Sequence, residues 1–303
     1  MPNDSLVQPL FDGALDIVGD VHGEIEALCQ LIQHLGYLDD GSHPDGKHMV
    51  FLGDLIDRGP DSPAVVDLVQ RLVATGMAQC VLGNHDLNVL LWHKKFDNDW
   101  FFGRTFKHDG QIIPQRLADE GTRDKVVAFF KTLPLVLERP GVRVVHACWK
   151  PEMVDVARMA QDVKDLYDSY HDLIEADNCR RPTLSEVERE LQHQNRNPVK
   201  VLTSGLEHPI NPPRPISGKR RRLDRVPWWD TYTDREYCVF GHYSTLSNKV
   251  SLAAPAMCVD FGVGHRWKER IAPGFDGHFS VKLAALRLPE LEIICDDGTK
   301  KLS

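Results

Sequence analysis

Three apolar runs in this chain each end on a glycine that is followed at once by a side chain able to bind a cation. Residues 14–19 (ALDIVG) lead into Gly19-Asp20-Val21-His22-Gly23, residues 49–53 (MVFLG) into Gly53-Asp54-Leu55-Ile56-Asp57-Arg58-Gly59, and residues 79–83 (QCVLG) into Gly83-Asn84-His85-Asp86. A short apolar run bounded by glycine reads as a buried strand. Strands that all stop this way hand polar groups to one edge of a sheet. Two further runs end in histidine, His146 after Val144-Val145 and His242 after Val239-Phe240-Gly241. Side by side, such strand ends gather Asp, His and Asn around two cations, the arrangement that hydrolysis of a phosphate ester needs.

Helices are expected between the strands. Ile25, Leu28, Leu31, Ile32 and Leu35 recur at helical spacing over 24–35. A second helix starts at Ser62-Pro63, with Ser as N-cap and Pro at the first helical position, and Gly76 stops it. Strand and helix in alternation predict parallel pairing with helices packed on the sheet, an α/β fold. Residues 93–125, rich in aromatic and charged side chains, read as helices and loops near the site. Residues 133–137 and 142–147, joined by Glu138-Arg139-Pro140-Gly141, read as a hairpin. Residues 150–195 read as helical. Six of the 19 prolines fall between Pro198 and Pro227, which predicts an irregular stretch. Strands resume at 237–241, 256–261, 279–286 and 292–295. The simplest organisation is a single domain, 1–303, in which about 150 to 235 is an insertion or cap over the active edge.

Composition narrows the class. With 303 residues, 42% hydrophobic and 26% charged, the chain can bury a large core. A formal net charge of -8 gives no global electrostatic case for nucleic acid, and bound divalent cations would offset part of it. No stretch approaches the roughly 20 apolar residues of a membrane span. The start, Met1-Pro2-Asn3-Asp4-Ser5, lacks the basic and apolar regions of a signal peptide. Seven scattered cysteines without a Cys-x-x-Cys pair fit buried reduced thiols in a cytoplasmic protein.

Each polar residue has a functional and a plainer reading. Asp20 and His22, alternating on extended backbone, would point the same way and chelate, or they form a polar turn. Asp54 has two oxygens and can bridge two cations, and Asn84 offers a neutral carbonyl oxygen. His146 and His242, taken singly, are ordinary structural histidines. Taken with the others, all on or after strands, they read as ligands. His85, beside the metals and not on them, suits proton donation to the departing oxygen, or it is a loop histidine. Asp57 could hold that imidazole and favour its charged form, or cap a loop. Arg58 has the planar fork that matches phosphate oxygens, or it lies on the surface. Asp260 reads as a carboxylate supporting His242 or its neighbours, or as a turn residue. Trp228-Trp229 with Tyr232 could stack on a base, but packing against the core is favoured.

The set Gly-Asp-x-His-Gly, Gly-Asp-x-x-Asp-Arg-Gly and Gly-Asn-His-Asp, with two spaced histidines after it, resembles the phosphoprotein phosphatase branch of the calcineurin-like metallophosphoesterases. The motifs keep the family's order from 19 to 242. The resemblance implies a two-layer β-sandwich flanked by helices, two divalent ions (often manganese, or iron with zinc; nickel or cobalt are alternatives), and a bridging hydroxide. Carried over by motif, Asp20 and His22 would hold the first metal, Asp54 would bridge, and Asn84, His146 and His242 would hold the second. His85 would be the acid, paired with Asp57, and Arg58 would grip the phosphoryl group. Asp260-Phe261-Gly262 looks like the Asp-x-Gly found late in bacterial members. For a second phosphate-gripping arginine the candidates are Arg222 and Arg225, although residues 219–222 (KRRR) could be only a solvated loop.

Asp86 departs from the Glu usual in the eukaryotic enzymes. Residues 83–90 (GNHDLNVL) look closer to bacterial diadenosine tetraphosphatase-like members, whose symmetrical type tends to lack an Asp at the place of Asp57. The leading reading is therefore a metal-dependent hydrolase of phosphate esters or anhydrides, with dinucleoside polyphosphates or nucleotides as the favoured substrate. A serine/threonine-type phosphoprotein phosphatase and a nucleic-acid end phosphatase share that chemistry. An inactive metal-binding scaffold is the reading from another class.

Overall fold

Alternation with a period of two divides the strand side chains between two cores. Leu15 and Ile17 on β2 (Leu15–Val18) and Val50 on β3 (His48–Phe51) are buried with Val142 and Val144 on β8 (Val142–Val145) and Val239 on β11 (Tyr237–Phe240). Their neighbours Val18, Met49, Phe51, Val145, Cys238 and Phe240 point the other way, into the core that holds the helices. Opposite faces of a strand see opposite sides of its sheet. The first set thus lies between two sheets and the second lies outside them. This is the sandwich with flanking helices that the resemblance implies.

The computed structural model describes residues 5–216, 219–244 and 255–302. Met1 to Asp4, most of the start read for a leader, lie outside these, as do the side chains of 219–221 within KRRR. One sheet has the order β1 (Val7–Pro9), β7 (Val136–Arg139), β8, β11, β12 (Ala256–Cys258). The other runs β15 (Lys300–Leu302), β14 (Glu292–Cys295), β13 (Ala284–Leu288), β2, β3, β4 (Ala78–Cys80). Pairing is parallel for β2 with β3, β3 with β4, β8 with β11 and β11 with β12. The carboxyl ends of these parallel strands make one common edge.

Helices α1 (Ile25–Leu35) and α2 (Ser62–Ala74) follow β2 and β3, and α3 (Asn84–Leu90) follows β4. Helix α1 buries Leu28, Leu31 and Leu35 of the predicted stripe, together with Ala27, leaves Ile25 and Ile32 half-buried against the same core, and stops at Gly36 with φ 93°. The N-cap of α2 differs from expectation. Asp61 takes that role, accepting from the Ala64 N–H at 2.9 Å. Ser62 instead accepts from the Asp57 N–H at 2.9 Å, tying the helix to a site loop.

The proline-rich stretch is more ordered than its composition suggests. It holds helix α8 (Pro198–Ser204) and an antiparallel pair, β9 (Glu207–Ile216) with β10 (Lys219–Arg225). Between β8 and α8 lie α5 (Pro151–Arg158), α6 (Val163–Cys179) and α7 (Glu186–Arg196), all packed on α8. The region 93–125 contains the hairpin β5 (Phe106–His108) and β6 (Gln111–Ile113), and helix α4 (Glu120–Phe130) begins within it. The strand expected over 279–286 begins only at Ala284. Five of the seven cysteines are buried, Cys29 and Cys179 are exposed, and none is paired.

If the inter-sheet core carries the fold, truncating one of its fully buried side chains leaves a cavity. Ile17→Ala should lower unfolding free energy by about 2–5 kcal/mol. Denaturant unfolding should show a lower midpoint at an unchanged slope. A loss under about 1 kcal/mol would mean the sheets are not held through this face.

Candidate metal centre

Each candidate ligand leaves the end of a strand. Asp20 and His22 follow β2, Asp54 follows β3, Asn84 opens α3 after β4, His146 follows β8 and His242 follows β11. The chain does not run extended through Asp20-Val21-His22 as expected, because His22 sits at φ 50°. Convergence comes from ties between loops. The His22 N–H donates to the Asp54 carbonyl at 2.9 Å, and the Gly241 N–H to the His146 carbonyl at 2.8 Å. Asp54, Asp57, Arg58 and His242 also have positive φ, at 48°, 73°, 68° and 61°. That backbone region is costly for side-chain-bearing residues and persists only where the surroundings enforce it. Gly241 is required for another reason: a Cβ there would lie 2.1 Å from Asp20 Oδ1.

Among the described residues the donor atoms meet in three groups, His22, Asp54 and His85 in one, Asp54, His146 and His242 in a second, and Asp57, His85 and Asp97 in a third. Asp54 belongs to the first two. Its Oδ2 lies 3.8 Å from His22 Nε2, and its Oδ1 lies 3.4 Å from His146 Nε2. Asp20 Oδ2 is 3.9 Å from His22 Nε2, and Asn84 Oδ1 is 3.3 Å from His146 Nε2. His22 Nδ1 lies 3.1 Å from the Ile56 carbonyl and His146 Nδ1 lies 2.6 Å from the Leu52 carbonyl, so each Nε2 faces the cluster. Backbone carbonyls that hold Nδ1–H in this way fix the tautomer a metal needs. His242 Nε2 is buried and has no hydrogen-bond partner among the described residues. An orphaned lone pair beside buried carboxylates fits a cation. These residues could hold two, with Asp54 shared.

Over residues 14–242 the sequence matches the family described as calcineurin-like phosphoesterase. The chain belongs to the calcineurin-like phosphoesterases. One relative is the asymmetrical bis(5'-nucleosyl)-tetraphosphatase PrpE of Bacillus subtilis, 43% identical over 159 residues, which are 50% of this chain and 64% of the relative. PrpE of Halalkalibacterium halodurans is 51% identical over 73 residues, 23% of this chain and 30% of the relative. The symmetrical bis(5'-nucleosyl)-tetraphosphatase of Aromatoleum aromaticum is 31% identical over 134 residues, 44% of each. The chain thus spans less than two thirds of the length of the curated relatives it matches. A crystal structure described as that of a candidate diadenosine tetraphosphatase shares the fold, with a TM-score of 0.51 at 20% identity, covering 95% of both chains. So does a cold-active protein-tyrosine phosphatase of a psychrophilic Shewanella, at 0.51 and 17%, covering 100% of this chain and 83% of that one.

Beside the ligand cluster of this phosphoesterase lies a second constellation. His85 Nδ1 is 2.6 Å from Asp57 Oδ2, and Trp100 Nε1–H donates to Asp57 Oδ1 at 2.6 Å. Arg58 lies 2.9 Å from both His22 Nε2 and His85 Nε2, while its Nε–H donates to Asp97 Oδ2 at 3.0 Å. Burial works against the charged imidazolium of His85, but Asp97, Asp54 and Asp57 outweigh it and raise the group to about 9. Burial lifts Asp57 to about 6, against the pull of His85. Burial, with Asp260 nearby, pushes Asp20 well up, whereas His146 and His85 overcome burial and hold Asp54 well down.

Sequence reading missed Asp97 and Trp100, and it named Asp86 without giving it a role. Asp86 is fully buried and accepts from the Leu55 and Gly83 N–H groups, both at 3.0 Å, so it stitches two motif loops together. Asp97 and Trp100 lie in the aromatic stretch placed near the site but not resolved to residues. The two arginine candidates separate. Arg222 is on the surface, donating to Glu186 on α7 at 2.8 Å. Arg225 donates to the His242 carbonyl at 2.8 Å, at the site. Asp260 accepts from the Gly262 N–H at 2.8 Å and lies close enough to Asp20 to raise it, and among the described residues no hydrogen bond joins it to His242. Trp228 is buried and donates to the Ala147 carbonyl at 2.8 Å, as packing requires.

His85 is raised from its ordinary 6.5 to about 9. Its protonation therefore stabilises the metal-free fold fully below about pH 6.5, and that contribution fades as pH rises toward 9. In chelator-treated protein, NMR titration should find the His85 imidazole protonated well above pH 7, and Asp97→Asn should lower its midpoint. A midpoint near 6.5 in both proteins would contradict the assigned electrostatics.

Proposed function

We propose that this phosphoesterase uses two divalent cations, manganese first among them, to hydrolyse dinucleoside polyphosphates, cutting asymmetrically. The observation that carries the reading is Asp54, whose two oxygens face His22 and His146 separately. Asp20, His22 and Asp54 would hold one cation, and Asp54, Asn84, His146 and His242 the other. When bound there, such ions supply Lewis acidity and a nucleophile derived from water at neutral pH. The names of the PrpE relatives support the substrate class. So does the pairing of His85 with Asp57, a carboxylate that the symmetrical type tends to lack.

The rest of the reaction falls to the chain's own side chains. Arg58 would grip the phosphoryl oxygens through its planar fork. In doing so it would leave His85 Nε2, which it now covers. His85 would then give its proton to the departing oxygen, with Asp57 holding Nδ1 and Trp100 holding Asp57. Arg225, anchored on the His242 carbonyl, would be a second phosphate contact. The stretch from about 150 to 235 would be a cap within a single domain. A cytoplasmic location belongs to the same proposal; among the described residues no helix is long and apolar enough to cross a membrane.

Phosphate and nucleotide release from diadenosine tetraphosphate, phosphopeptides and mononucleotides, measured in parallel with manganese, tests the substrate class. AMP with ATP is the expected product pair. Two ADP, or a preference for phosphopeptide, would overturn it. His85→Ala should lower kcat on an alkyl phosphate by about 10²-fold or more, with metal content unchanged and an activated aryl phosphate less affected. Arg225→Ala should raise KM, and Arg222→Ala should leave kinetics as they were. Equal effects of the two arginine variants would remove Arg225 from the site.

A further inference from the structure

We propose that Asp97 is the positioning residue for Arg58, gripping one edge of the guanidinium so that its two terminal nitrogens are presented to the phosphoryl group. This deepens the reading above, since it rests on Arg58 as the phosphate grip, and it is independent of the substrate class. Asp97 Oδ2 accepts from Arg58 Nε–H at 3.0 Å. With that nitrogen occupied, Nη1 and Nη2 are left to point forward. Nη1 lies 2.9 Å from His22 Nε2, and Nη2 lies 2.9 Å from His85 Nε2. Those two rings stand edge to face with centroids 4.8 Å apart. The fork is thus aimed between a candidate metal ligand and the candidate proton donor, the place a phosphoryl group has to reach.

A carboxylate beside a phosphate site repels the substrate, so its presence there calls for a compensating task. The surroundings of the pair supply one. The Arg58 side chain is 28% exposed and that of Asp97 14%, so their charge-assisted hydrogen bond is largely sheltered from solvent and keeps its strength. Arg58 leaves the backbone at φ 68°, directly after Asp57 at 73°, so enforced backbone sets the direction of its side chain. Gly264 closes the other side, where a Cβ would lie 2.9 Å from Arg58 Nη1. Asp97 is itself fixed. Its neighbour Asn98 is fully buried, accepts from the Lys95 N–H at 2.8 Å and donates to the His93 carbonyl at 2.9 Å. Trp100, three residues on, donates to Asp57 at 2.6 Å. One loop therefore places a carboxylate on Arg58 and an indole on Asp57. His85 is not the principal partner of Asp97, because its Nδ1 lies 3.9 Å from Asp97 Oδ2 but 2.6 Å from Asp57 Oδ2.

Calorimetry with inorganic phosphate on the manganese-supplemented full chain tests this through a double-mutant cycle. Asp97→Ala should weaken phosphate binding about 10-fold, the worth of one hydrogen bond to a charged group, with manganese stoichiometry unchanged. Asp97→Asn keeps an acceptor and the loop's shape. It should lose less, and it serves in the cycle if the alanine variant does not fold. In an Arg58→Ala background the same substitution should cost under about 2-fold, because the group it positions is gone. KM for an aryl phosphate should rise with the phosphate Kd, with kcat changed less. Asp99→Asn, at a carboxylate 3.1 Å from Lys94 Nζ, should change neither. An unchanged Kd in Asp97→Ala, or an equal loss in both backgrounds, overturns the proposal. So does a fall in kcat alone, which would mean that Asp97 acts through His85. If Arg58→Ala itself binds phosphate as the wild type does, the reading of Arg58 as the grip fails and the proposal with it. If Arg58→Ala weakens binding and Asp97→Ala does not, only the proposal falls.

Discussion

Several carboxylates buried in one place repel one another and lose their hydration, and this molecule is arranged around that problem. Asp20, Asp54, Asp57, Asp86 and Asp260 are all buried. An unpaired buried charge costs several kcal/mol, so each needs a partner. Backbone N–H groups answer Asp86 and Asp260, while Trp100 and His85 answer Asp57. Among the described residues Asp20 and Asp54 take single backbone donors, from His242 and from His85, that cannot satisfy all their oxygens. What they still need is positive charge, and four strand ends aim histidine nitrogens and an amide oxygen at the same place.

Holding like charges together requires backbone that does not relax. The left-handed residues at the strand ends, the close contact of Gly241 on Asp20, and the bonds from loop to loop serve that end. His146 Nδ1 on the Leu52 carbonyl even joins one sheet to the other across the sandwich. The inter-sheet core supplies the rigid floor. Ligand geometry thus depends on packing many residues away, as a preorganised site requires.

The fold and the residues that meet at the candidate site were largely legible in the sequence because both depend on local signals. Short apolar runs, glycines where strands end and helical stripes such as that of α1 are written in consecutive residues. The two phosphate-contact candidates were not separable, since Arg222 and Arg225 differ only in which neighbour their strand presents to them. Asp97 and Trp100 escaped because their roles exist only through distant partners, Arg58 and Asp57. The proline-rich hairpin of β9 and β10 was hidden because proline weakens a strand signal without forbidding a two-stranded pair at an edge. Ser62 lost the cap to Asp61 because its hydroxyl was drawn to the Asp57 amide, a contact no local rule contains.

The central claim is that these strand ends hold two cations through a shared Asp54. Titrating chelator-treated protein with manganese, by calorimetry and by paramagnetic resonance, tests it directly. The account predicts two equivalents bound with a spin-coupled signal in the wild type, and loss of the coupled signal with weakened binding in Asp54→Asn. One equivalent, or two that ignore the substitution, would contradict it.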